Sequence, residues 1–198
     1  MRPFIHYLYS EYCKILERLH AIHGQLQQRN SVFFQSLDVE IRNTETFFQK
    51  HGLTSQSAKT NTLVSNLATL RNGYNPYTYA LLDKNQRDSK YVIGLQILHI
   101  FQDLLLAEID KHEQSLEMAK EMVENLLLSY LQRAPSNLTI NATDAEPLWR
   151  KMSEDEQFAL FQKKILLSVH REDAVILLDK AISKLAEPEK QYDVTIDA

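Results

Sequence analysis

The chain has 198 residues and a mass of 23.0 kDa, with 44% hydrophobic and 24% charged residues and a net charge of −4. Only four glycines and five prolines are present, against ordinary usage of about 7% and 5%. That scarcity argues against phosphate-binding loops, dinucleotide loops and hairpin-rich barrels or sandwiches, which all draw on glycine turns. An acidic balance with pI near 6.0 is also a poor starting point for a phosphate-backbone binder, and the expectation is no nucleic-acid partner.

A single cysteine, Cys13, excludes an intramolecular disulfide and fits a reducing compartment. The opening Met1 to Tyr7 is too mixed for a signal-peptide core. No window approaches 18 uninterrupted apolar residues, so no membrane insertion is expected. The glycosylation-type triplets at Asn137 and Asn141 are then chance matches, and the expected location is cytoplasmic.

Taken in order, the elements are helical. Behind Pro3, the residues Ile5, Leu8, Tyr12, Ile15, Leu19, Ile22 and Leu26 step 3-4-3-4-3-4, a heptad seam on a helix over 4–29. Gly24 lies inside it, off the seam. Asn30 and Ser31 offer an N-cap for a second helix over 31–51, with the stripe Phe34, Leu37, Ile41, Thr44 and Phe48 and with Gly52 as its C′ residue. Thr54 or Ser55 caps a third over 54–73, carrying Leu63, Val64, Leu67 and Leu70. A tyrosine-rich turn follows, with a short helical piece expected at 80–83.

The longest element runs from Ser89 to Arg133, 45 residues without proline, or roughly 67 Å of helix. A compact chain of this length is only about 40 Å across, so the helix must protrude, bend or break. Its seam passes through Leu98, Phe101, Leu105, Ile109, His112, Leu116, Ala119, Val123, Leu126 and Tyr130. Gly94 and the 4-4 step at 101-105-109 are the candidate break points.

A linker rich in Pro, Ser, Asn and Thr spans 135–143, with Leu138 to Ile140 as the only short strand candidate. Beyond it, Pro147 opens a helix holding Leu148, Trp149 and Met152. Ser153 to Glu156 reads as a capping box before Phe158, Leu160, Phe161, Ile165, Leu166 and Val169. After a turn near His170, Asp173 leads into Val175, Ile176, Leu178, Ile182 and Leu185, and Pro188 ends that helix. The expected fold is therefore all-α: a helical bundle over 1–134 with one very long helix, then a small C-terminal helical subdomain over 144–187 packed on it and a mobile tail over 188–198.

No catalytic signature stands out. There is no Cys-x-x-Cys, His-Glu-x-x-His, P-loop or Gly-x-Ser-x-Gly. Glu-x-x-His occurs once, at Glu17 to His20, where a di-iron bundle wants two. Cys13, Glu17 and His20 share a stripe, and His20 and His23 are spaced i, i+3. His112 falls in the seam of the long helix, one turn after Glu108, and His99 pairs likewise with Asp103. A buried neutral imidazole usually serves as a hydrogen-bonded core group. The alternative is a metal-binding bundle enzyme or sensor using His20, His23, His99, His112 and Glu108.

The long helix is acidic between Asp103 and Glu124, where Glu113, Glu117 and Glu121 follow one another at i, i+4. That is either a solvated face or a docking stripe for a partner. Tyr74, Tyr77 and Tyr79 either plug the bundle end or anchor a contact. With no cofactor indicated, the expectation is a non-enzymatic interaction module (an adaptor, chaperone or complex subunit) that meets a protein partner or a second copy through helical surfaces. The contact residues expected are Tyr74, Tyr77, Tyr79, Leu104, Glu113, Glu117, Glu121 and Leu128.

Overall fold

A computed structural model describes residues 4–83, 87–133 and 145–186. The protein is all-α. Among the described residues there are seven helices: α1 (Ile5–Gln27), α2 (Phe33–Lys50), α3 (Thr54–Arg71), α4 (Arg87–Arg133), α5 (Ala145–Met152), α6 (Glu156–Leu166) and α7 (Arg171–Ala186). They fall into two compact units, one of residues 7–112 and one of residues 1–6 with 113–198.

In the unit of residues 7–112, the α1 seam is buried at every position from Leu8 to Leu26. It packs with Phe33, Leu37, Ile41 and Phe48 of α2, Leu63, Val64, Leu67 and Leu70 of α3, and Ile93 to Ile109 of α4. Helix spacing explains this directly, because residues 3 and 4 apart share a face and a continuous apolar face has to be covered. Arg18 of α1 grips the buried Glu40 of α2 at 2.9–3.0 Å. The threonines on buried faces, Thr44 and Thr60, return their hydroxyls to the carbonyls of Glu40 and Gln56.

Three helix ends close by the same device. The N–H groups of Gly52 and Leu53 reach back to the carbonyls of Gln49 and Phe48, and those of Gly73 and Tyr74 to Leu70 and Thr69. Both glycines have positive φ, +69° and +91°, as this C-terminal cap requires. α1 does the same with Arg29, at φ 51°. The N-termini differ from expectation. Val32 and Leu53 occupy the N-cap positions of α2 and α3 without side-chain hydrogen bonds. Asn30 instead accepts the Val32 N–H at 3.0 Å, ordering the turn before the helix.

α4 is helical without interruption through 47 residues, and neither Gly94 nor the 4-4 step breaks it. Gly94 is buried, and a Cβ there would lie 2.8 Å from Phe33 and 2.9 Å from Phe34. The glycine is a close-approach position, where the two rings of α2 press on the backbone of α4. Phe33, fully buried, is the core aromatic of that pair, and Phe34 is half-buried. Residues 80–83 are not helical: they form a loop in which Leu81 bridges back to Tyr74.

In the other unit, α4 contributes Ala119, Val123, Leu126 and Leu127 to a core with Leu148, Trp149, Met152, Phe158, Ile165, Leu178 and Ile182. Phe158 sits edge-on to Tyr130, with the Arg133 guanidinium 5.5 Å from its ring centre. The buried Gln162 donates to the Trp149 carbonyl at 2.7 Å. The cap of α6 is Asp155, accepting from the Gln157 N–H at 2.9 Å. Ser153 does not cap α6, because its hydroxyl turns back to the Arg150 carbonyl. Of the apolar residues that follow the cap, Leu160 and Phe161 are exposed. The linker, the strand candidate, Asn137, Asn141 and Pro188 lie outside the described residues.

Asp173 is fully buried in this unit. Its carboxylate accepts the backbone N–H groups of Ile5 and His6 at 3.0 Å, the His170 N–H at 3.2 Å, and pairs with the His6 ring at 2.7 Å. It therefore caps α1, an element 168 residues away in sequence, as well as the first turn of its own helix. Burial alone would raise its pKa, but the bonds from His6 and Ile5 outweigh that and hold the carboxyl below the ordinary value.

Candidate functional site

The histidines do not assemble into a ligand set. His20 and His99 are exposed and His23 is half-buried. The rings of His23 and His99 come within 6.4 Å, centre to centre. His112 is buried and lies flat against Tyr12, with ring centres 5.6 Å apart and planes 11° apart. Glu108 accepts from Gln56 at 2.8 Å and sits 3.6 Å from Lys111. Among the described residues, no three His, Cys, Asp or Glu side chains come together to hold a metal ion.

Among the described residues the buried Tyr12 hydroxyl has no hydrogen-bond partner. Burial, reinforced by the charge of Glu108, pushes its ionisation well above the ordinary phenol range. The side chain is fully buried and stacked on His112, and it reads as core chemistry. Cys13 is likewise packed against the core.

The outward face of α4 is mixed. Leu104, expected there, packs against the core, while Leu106, Met118 and Leu128 are exposed. Glu113, Glu117 and Glu121 are exposed as expected, and Glu117 binds Lys120 at 2.8 Å. By length and composition α4 is apolar enough to cross a membrane, a test that core helices also pass. Its outward positions include Gln96, His99, Asp103 and Asp110, and its apolar face from Ile93 to Ile109 is covered by the other helices.

The loop between α3 and α4 has the most definite organisation. Tyr74 and Tyr77 are 45% exposed, Tyr79 76% and Leu81 73%. Tyr79 and Leu81 stand clear of the bundle end, whereas Tyr74 and Tyr77 keep more than half of their surface covered. The backbone beneath them is nonetheless fixed. Asn75 N–H donates to the Ala80 carbonyl, Tyr79 N–H to the Asn75 carbonyl and Leu82 N–H to the Gly73 carbonyl, all at 2.8 Å.

The Asn75 side chain accepts from Tyr77 and Thr78 at 2.9 and 3.3 Å, an Asx turn. Pro76 is buried beneath, and Leu82 is anchored on the core. Tyr79 holds φ 56°, a left-handed conformation that costs a bulky residue about 1 kcal/mol or more. Sequence reasoning found the three tyrosines and missed Leu81, which it assigned to a helix.

No protein family, curated protein or solved structure matches the chain.

Proposed function

We propose that the protein is a non-enzymatic interaction module, an adaptor, chaperone or complex subunit, and that its 74–81 loop is the surface that engages a protein partner. The observation that carries this reading is the combination within one loop of four exposed large side chains and a backbone fixed by its own hydrogen bonds. Ordered aromatic side chains add contact area at low entropy cost, and a preordered backbone removes the cost of folding on binding. A strained, exposed tyrosine makes the same point, because strain persists where surrounding structure enforces it. The acidic balance and single cysteine support a partner that is protein rather than nucleic acid, in a reducing, cytoplasmic setting.

The test is site-specific photocrosslinking in the native host, with the crosslinker at Tyr79 or Leu81 and, as a control, at the exposed Lys59 of α3. One recurrent protein adduct at the loop positions, lost when Asn75→Ala loosens the loop, is the expected result. Adducts no different from those at Lys59 would overturn the reading.

A further inference from the structure

α6 has two faces of different character. Phe158, Gln162 and Ile165 are buried inward. Outward stand Leu160 at 56% exposure, Phe161 at 36%, and Leu167, the residue capping its end, at 67%. Lys163 and Lys164 lie among them, exposed and without an ion pair among the described residues. A helix face that joins three large apolar side chains with two uncommitted ammonium groups calls for an apolar surface edged with acid.

The same unit carries such a surface. On α4 the positions 114, 117–118, 121, 125 and 128 share one exposed stripe, spaced as one helical face requires. Met118 at 56% and Leu128 at 48% provide its apolar content, and Glu117 and Glu121 flank Met118. Leu160 and Leu167 are seven residues apart with the lysines between them. Glu121 and Glu117, the latter by sharing the carboxylate that holds Lys120 at 2.8 Å, can meet the two lysines while Met118 meets Leu160 and Phe161.

We propose that the outward face of α6 docks on the Glu117–Met118–Glu121 stripe of α4 in a second copy of this chain. Charge complementarity selects the occupant: one molecule presents both the basic apolar face and its acidic apolar counterpart, so two copies satisfy each other. An anionic membrane is the poorer match, with only two lysines on the face and a net charge of −4. The association is independent of the 74–81 loop.

Sedimentation equilibrium of the full chain tests it. The weight-average mass should rise from 23.0 kDa toward double as concentration increases, and the rise should shrink in high salt. Lys163→Glu with Lys164→Glu should weaken the association by about tenfold or more, and adding Glu117→Lys with Glu121→Lys in the same chain should restore it. All four positions are exposed, and circular dichroism checks that each variant keeps its helices. Tyr79→Asn should leave the association unchanged, which separates this surface from the loop. A monomer throughout, an association indifferent to the lysine reversal, or no recovery in the fourfold variant would each overturn the proposal.

Discussion

Gly24 and Gly94 both sit inside helices, yet they make opposite demands. Nothing lies within 4 Å of a Cβ built on Gly24, so Gly24→Ala should stabilise by about 0.5–1 kcal/mol, through helix propensity alone. Gly94→Ala should cost about 1–3 kcal/mol, because the rings of Phe33 and Phe34 would have to move in a packed core. Thermal unfolding of the pair checks both signs.

Tyr12→Phe removes a buried hydroxyl without a partner among the described residues and should be neutral or stabilising, by up to about 1 kcal/mol. It should also remove an alkaline liability. A phenol whose ionisation is raised on folding supports the fold fully below about pH 10 and loses that support as pH rises further. Asp173 has the opposite sign. Its lowered pKa favours the folded state at neutral pH, and the contribution drains away as pH falls below about 4. Asp173→Asn should cost about 1–3 kcal/mol near neutrality, since an amide nitrogen replaces one acceptor oxygen among several donors. The variant should also show a flatter acid limb in unfolding midpoint against pH. The sequence marks Asp173 only as an acid ahead of a helix. Nothing local reveals that it caps a different helix.

The periodic seams of α1 and α4 were legible at the level of elements because burial follows the 3.6-residue turn, and His112 was placed in its seam by spacing alone. Adjacent apolar residues were harder. Phe33 and Phe34 both press on Gly94, yet only Phe33 shares the buried α2 face of Leu37, Ile41 and Phe48, and Leu160 and Phe161 lie off the buried face of Phe158, Gln162 and Ile165 on their short helix. The 74–81 loop was legible as aromatic, but the direction its rings face depends on hydrogen bonds closing across it. Tyr79→Asn separates strain from contact, since asparagine tolerates the left-handed region and lacks the ring. The variant should unfold at an unchanged or higher temperature while its partner adduct, read by crosslinking at Leu81, falls.

For the whole molecule, the scarcity of glycine and proline argues against turn-rich barrels and sandwiches, and the elements among the described residues are helices. The division between units is a different matter. α4 passes from one core to the other between His112 and Glu113 with no glycine, proline or change of pattern, and a boundary inside a helix leaves no punctuation to read. The cap on α1 carries a consequence for the order of assembly. Ile5 and His6 tie residues 1–6 into a unit whose other residues all follow position 112, through bonds that span 167 and 168 positions. During synthesis, residues 7–112 can close on themselves while the start of α1 still waits for α7. A chain stopped before Asp173 should therefore show amide exchange at Ile5 and His6 as fast as in a free peptide, while Leu8 to Leu26 stay protected.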